Sequence, residues 1–176
     1  MLRRLLLMLG LWSVLTVAAL PAWADGCASP KPINQAQRQV WMADRVLDQG
    51  PVSVPDHLPG PWRKEGFRAR YTLDVSACTT QGGHALWLFR VAAPYRLSID
   101  GVATTPELPR TTATPGSSFN GRTPMLFALP VGAREESIEL LTLPFIPAGI
   151  AQAEMGPMSA LLPRHLSASV SYTHLR

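Results

Sequence analysis

Any chemistry this chain performs must come from a handful of side chains. Asp56 and His57 are adjacent and offer an acid–base pair. Neighbours along an extended strand point to opposite faces, so the stronger reading of His57 is a turn histidine. Glu135 and Glu136 are consecutive carboxylates, the residue type used for paired acid–base work. They follow Gly132-Ala133-Arg134 and read instead as a solvated corner. Arg90, Arg96 and Arg122 are three guanidinium groups suited to an anionic ligand; the competing reading makes them surface residues or partners of Asp74 and Asp100. Trp62 and Trp87 are the right type to stack on sugar rings. Trp87 lies in an apolar run and reads as core, whereas Trp62, between Pro61 and Arg63, reads as surface. The candidate ligand contacts are therefore Trp62, Arg90, Arg96 and Arg122.

Catalytic signatures are absent from the sequence. There is no Gly-x-Ser-x-Gly elbow, no His-Glu-x-x-His and no phosphate-binding glycine loop. The histidines (His57, His84, His165, His174) are scattered, and Cys27 and Cys78 have no histidine near them, so no metal site is expected. No cofactor is expected either, and the chain reads as a non-enzyme.

The elements that would carry these residues begin after a leader. Met1-Leu2-Arg3-Arg4 is basic, Leu5 to Leu20 is almost wholly apolar, Pro21 breaks the run, and Ala22-Trp23-Ala24 is a small-x-small cleavage site. Residues 1–24 thus read as a secretory signal peptide. An uncleaved anchor would be short for a ~30 Å hydrocarbon core. A lipoprotein acylated at Cys27 is the other alternative, disfavoured by Ala24 and Asp25 in the lipobox positions. Export implies an oxidising compartment, in which a Cys27–Cys78 disulfide is the default and two unpaired thiols the alternative. At the other end, Val170 to Arg176 resembles the translation of a transposase-type sequencing adapter. On that reading residues 170–176 are foreign to the protein.

Without residues 1–24 and 170–176 the chain has 145 residues, enough for one domain with a genuine core. Its charge falls to 13 Lys+Arg against 12 Asp+Glu, because Arg3, Arg4 and Arg176 lie in the removed ends. Near-neutrality without a basic run excludes the usual footprint of nucleic-acid binding. The 17 Pro and 13 Gly leave little room for long helices.

Residues 25–37 read as an N-terminal loop. Gln39 to Leu47 is a first strand or short helix with Trp41 as its buried anchor, and Gly50 to Pro61 a short edge strand and turn. Phe67 to Val75 alternates strictly, with Phe67, Ala69, Tyr71, Leu73 and Val75 on one face, and predicts a half-buried antiparallel strand. His84 to Val91 is a strongly apolar strand. Tyr95 to Ile99 alternates and runs into Asp100-Gly101, the signal for a type I′ hairpin turn. Thr104 to Thr123 is a polar loop, Pro124 to Leu129 and Ser137 to Leu143 are strands, and Met158 to Leu166 is a late helix. Short strands at intervals of about ten residues predict an all-β fold, an antiparallel β-sandwich or jelly roll.

The order of landmarks carries a resemblance. Val54-Pro55-Asp56-His57 is followed by Trp62, then Arg68-Ala69-Arg70-Tyr71, then Leu86-Trp87-Leu88-Phe89-Arg90-Val91. Ser98-Ile99-Asp100-Gly101, Arg122-Thr123-Pro124-Met125-Leu126-Phe127-Ala128-Leu129-Pro130 and Met155-Gly156-Pro157-Met158 complete the set. Over about residues 38–166 this resembles the periplasmic jelly-roll domain of bacterial membrane sensors, including the seven-transmembrane receptors with diverse intracellular signalling modules. The family often has Asn-Gly where this chain has Asp100-Gly101. The resemblance implies a galactose-binding-domain-like sandwich ahead of transmembrane helices and a histidine kinase or diguanylate cyclase output, with kinase the commoner. Pro163 to Leu166 would then be the junction to the membrane, and the chain a fragment without its membrane and output domains. The expected function is ligand sensing outside the inner membrane. The expected partners are an unidentified small molecule or carbohydrate, and the membrane through the missing helices. The alternative is a free periplasmic carbohydrate-binding or adhesion module.

Overall fold

Two kinds of apolar pattern run through this chain, and they separate its two larger sheets. The computed structural model describes residues 27–58, 66–104, 107, 124–142 and 148–173. Residues 1–24 and the candidates Trp62 and Arg122 lie outside these, as do most of the loop expected at 104–123 and the tail after Thr173. In chain order the strands are β1 (Lys31–Pro32), β2 (Gln35–Met42), β3 (Arg45–Ser53), β4 (Asp56–His57), β5 (Arg68–Asp74) and β6 (His84–Leu88). They continue as β7 (Tyr95–Ile99), β8 (Val102–Ala103), β9 (Met125–Leu129), β10 (Glu135–Leu141), β11 (Gly149–Ile150) and β12 (Ala153–Pro157), and the chain then enters helix α1 (Met158–Thr173).

Strands that alternate build the six-stranded sheet, in the order β3-β2-β5-β10-β7-β8. Its inner positions include Val40, Ala69, Tyr71, Leu73, Leu97 and Ile138, all buried, while Arg68, Arg70 and Arg96 on the opposite face are exposed. One covered face and one open face is what period-two patterning encodes. Strands β6 and β9, with their unbroken apolar runs, form one side of the four-stranded sheet, order β1-β12-β6-β9. Here Leu86, Leu88, Met125 and Phe127 pack toward the six-stranded sheet, and Ala85, Trp87 and Leu126 pack the other way, against Leu161 of α1. A sheet buried on both faces cannot alternate, which explains the runs Ala85-Leu86-Trp87-Leu88 and Met125-Leu126-Phe127. Among the described residues every strand pairing is antiparallel, including a separate β4–β11 pair, and the fold is an all-β antiparallel sandwich with one α-helix on its outer flank.

Asp100 (φ 47°) and Gly101 (φ 80°) form the expected turn between β7 and β8. The Asp100 carboxylate also accepts hydrogen bonds from the backbone N–H of Arg134 and Glu135, at 3.0 and 2.9 Å, and so anchors the start of β10. An acceptor-only side chain suits two donors better than an amide would. Cys27 and Cys78 are disulfide-bonded with Cα atoms 5.1 Å apart, tying the N-terminal segment to the turn after β5.

Three expectations need correction. Strand structure begins at Lys31, inside the segment expected to be loop, because β1 adds to the edge of β12. Residues 39–47 are neither one strand nor a helix: β2 and β3 form a hairpin that turns at Ala43-Asp44, with Ala43 at φ 49°. Helix α1 starts at Met158 as expected but runs on to Thr173, with Met158, Leu161, Leu162, His165 and Ala168 on its packed side.

Candidate functional site

Two polar arrangements stand out, one on each face of the six-stranded sheet. The first lies on the inner face near the β3 edge. Arg38 of β2 faces inward, opposite Tyr71 of β5 in the ladder. Its guanidinium forms ion pairs with Asp48 of β3 and, at 2.8 Å, with Asp56 of β4. The Tyr71 hydroxyl donates to the same Asp56 oxygen at 2.6 Å. Burial opposes the charge on Arg38, but the hydrogen bonds to Asp56 and Asp48 outweigh it and raise the pKa. Burial, followed by the donated bond to Asp56, raises the Tyr71 hydroxyl far above its ordinary value, so it stays protonated. Asp56 is held by a close backbone approach: a Cβ on Gly149 (φ 149°) would lie 2.2 Å from the Asp56 carbonyl oxygen. Only glycine fits there. The network is a half-buried set of fixed charges and donors, open to solvent through Asp48.

The second arrangement is the outer face. Strand register places Trp41 beside Val46 and Arg68, and places Gln39, Arg70, Glu139 and Arg96 in one line across four strands. The guanidinium carbons of Arg68 and Arg70 sit 5.6 and 5.5 Å from the Trp41 ring centroid. Arg70 also pairs with Glu139 at 3.5 Å. Trp41 is therefore not the buried anchor expected of it. The neighbouring Val40 takes the inward position, which turns Trp41 outward.

Of the expected contacts, only Arg90 and Arg96 fall among the described residues, and these two do not come together. Arg96 lies on this outer face, whereas Arg90 follows β6 on the other sheet, and both are exposed. Neither pairs with Asp74 or Asp100: Asp74 is bonded by Ser76, which lowers its pKa, and Asp100 by backbone N–H groups. Trp87 is core. Asp56 and His57 diverge as strand neighbours must, Asp56 into the Arg38 network and His57 to solvent. Glu135 is exposed, but Glu136 is not the solvated corner its neighbours suggest. Strand β10 begins two residues earlier than expected, so Glu136 shares the inward register of Ile138 and Leu140. It is 0% exposed, and its carboxylate oxygens have no hydrogen-bond partner among the described residues. Burial and then the charge of Asp100 push its pKa up to about 8.

Sequence reasoning missed Arg38, Asp48 and Tyr71 as a unit, because strand register alone joins them. The basic-aromatic segment Arg68-Ala69-Arg70-Tyr71 was the available signal, since it feeds both faces. Among the described residues no three His, Cys, Asp or Glu side chains gather as a metal site, and no helix is long and apolar enough to cross a membrane.

The molecule is thus an antiparallel β-sandwich with two polar surfaces on one sheet. Comparison with protein-family models gives no match, and no curated protein sequence is significantly similar. Among solved structures the chain aligns over 73% of its length with a GH31 alpha-xylosidase from Xanthomonas citri, at 10% identity and a TM-score of 0.39. The aligned part spans 18% of that chain, and a likeness this low bears on neither fold nor function.

Proposed function

We propose that this chain is the extracytoplasmic ligand-sensing domain of a membrane-bound signal-transduction protein, with a jelly-roll topology and a signal peptide at residues 1–24. The signalling output is a histidine kinase, and the chain itself is non-catalytic. The observation that carries the reading is the joint between β12 and α1. Helix α1 begins at the residue after β12 with no intervening loop, and packs on the sheet to which β12 belongs. The Met158 N–H donates to the Gly83 carbonyl at 2.8 Å, and Arg164 of α1 pairs with the buried Glu154 of β12. A change in sheet packing is therefore transmitted to the helix as a rigid lever, which is the coupling a two-state sensor requires. The ordered landmarks give further support. Gly156 now has a physical reason, since a Cβ there would lie 2.7 Å from Pro30 Cα of the N-terminal segment.

The test is fractionation of the native host with an antibody raised against this domain. A membrane-embedded polypeptide much longer than this chain is expected. A free soluble species of about this length would overturn the sensor reading and favour a free carbohydrate-binding or adhesion module. The outer-face arrangement around Trp41 is the observation that favours that second reading.

A further inference from the structure

The outer face of the six-stranded sheet is a flat array ordered by register. One cross-strand row runs Val46, Trp41, Arg68, Leu141; the next runs Gln49, Gln39, Arg70, Glu139, Arg96; a third runs through Gln37, Thr72, Ser137 and Ser98. Rows are about 6.7 Å apart along the strands, and neighbouring strands about 4.8 Å apart. No described element packs on this face: α1 lies on the other sheet, and Val46 and Leu141 are 50% and 56% exposed.

We propose that this face binds an acidic, uronate-bearing polysaccharide, with Arg68, Arg70 and Arg96 taking carboxylates and the neutral side chains between them taking hydroxyls. The inference rests on the ligand-binding half of the proposed function and not on the membrane half. Both guanidinium groups lie over the Trp41 ring, which holds Arg68 and Arg70 side by side on the open face. A guanidinium can take a carboxylate in two-point contact, and the pairing of Arg70 with Glu139 at 3.5 Å shows that a carboxyl group reaches this row. Gln39, Gln49, Thr72, Ser137 and Ser98 supply donors and acceptors together, the complement of sugar hydroxyls. An anionic bilayer or a nucleic acid would call for a denser basic patch than three arginines on a face that also carries Glu139 and, in the row beyond Thr72 and Ser137, Asp74 and Glu135. Such a partner would also leave those amides and hydroxyls without a use.

The test is calorimetric titration of the purified protein with polygalacturonate. Binding at low salt is expected, with weakening as salt rises. Arg70→Gln and Arg96→Gln each weaken it about tenfold or more, the scale of one charge-assisted contact. The R68Q/R70Q/R96Q variant abolishes it, and Arg90→Gln, on the other sheet, leaves it unchanged. Neutral dextran is not bound. Thermal melts check that each variant folds, and Arg96→Gln, which removes no ion pair among the described residues, carries the test if the triple variant does not fold. Failure of the wild-type protein to bind polygalacturonate overturns the proposal, as does binding as tight as wild type by Arg96→Gln and Arg70→Gln. Arginine-dependent capture of phosphatidylglycerol vesicles without polygalacturonate binding also overturns it. None of these results touches the membrane reading, and a soluble native species leaves this proposal standing.

Discussion

At position 136 a carboxyl group lies in the apolar layer between the sheets with no hydrogen-bond partner among the described residues. Its pKa is raised from 4.5 to about 8, so the folded state holds a proton that the unfolded chain releases. Between those values the folded state binds more protons, and stability falls as pH rises, by about 1.4 kcal/mol per unit at most. Below about pH 4.5 the effect is absent, and above about pH 8 it is complete. Glu136→Leu should therefore raise the urea midpoint at pH 8 by the equivalent of a few kcal/mol and flatten the slope between pH 5 and 8. An unchanged slope in that variant would mean the carboxyl is satisfied in solution. The sequence did not disclose this residue, because Glu-Glu after a glycine reads as a corner and only the register of Ile138 and Leu140 assigns one carboxylate inward. Trp41 failed for the related reason that residue type was used where the inward position of Val40 decides. Position 149 makes a second residue-scale prediction. Gly149→Ala should push β11 from β4, disturb Asp56 and its bonds from Arg38 and Tyr71, and cost about 1–3 kcal/mol in chemical denaturation.

At the scale of elements, the legible ones are those whose pattern is local. The strict alternation from Phe67 to Val75 and the Asp100-Gly101 turn each contain their own evidence, and β5 and the β7–β8 hairpin follow from them. The β2–β3 hairpin was not legible, because its turn is Ala43-Asp44 and alanine at φ 49° has no sequence signature. The Cys27–Cys78 bond is an element-scale clamp: it spans 51 residues and fastens the segment leading into β1. Replacing both cysteines by serine should lower stability by about 4 kcal/mol in the chain-entropy model, read from urea unfolding. A loss near zero would place the holding force in the strands alone. Helix α1 depends on one central side chain in the same way. Leu161 is fully buried against Ala85, Trp87 and Leu126, so Leu161→Ala should cost about 2–5 kcal/mol and loosen hydrogen-exchange protection in α1 before the sheets.

For the whole molecule, the division of labour follows from which faces are covered. The four-stranded sheet is closed on both sides and carries the helix, whereas the six-stranded sheet keeps one face open and holds a polar network at its inner edge. On the proposed reading, ligand chemistry falls on one sheet and the outgoing lever on the other, with a common core between them. A ligand that alters the six-stranded sheet must act on α1 through that core. The all-β sandwich class was legible in the sequence but its strand order was not, since pairing between distant strands has no local signature. The candidate surface was legible in its parts, Arg68, Arg70 and Arg96, but not in its assembly, which needs four strands in register. The most direct measurement of the central claim is the natural gene sequence read past codon 169. A transmembrane helix soon after α1, with a kinase region beyond it, is the expected result. A natural stop codon near residue 170, with no membrane-spanning segment after it, would rule out a membrane-bound sensor.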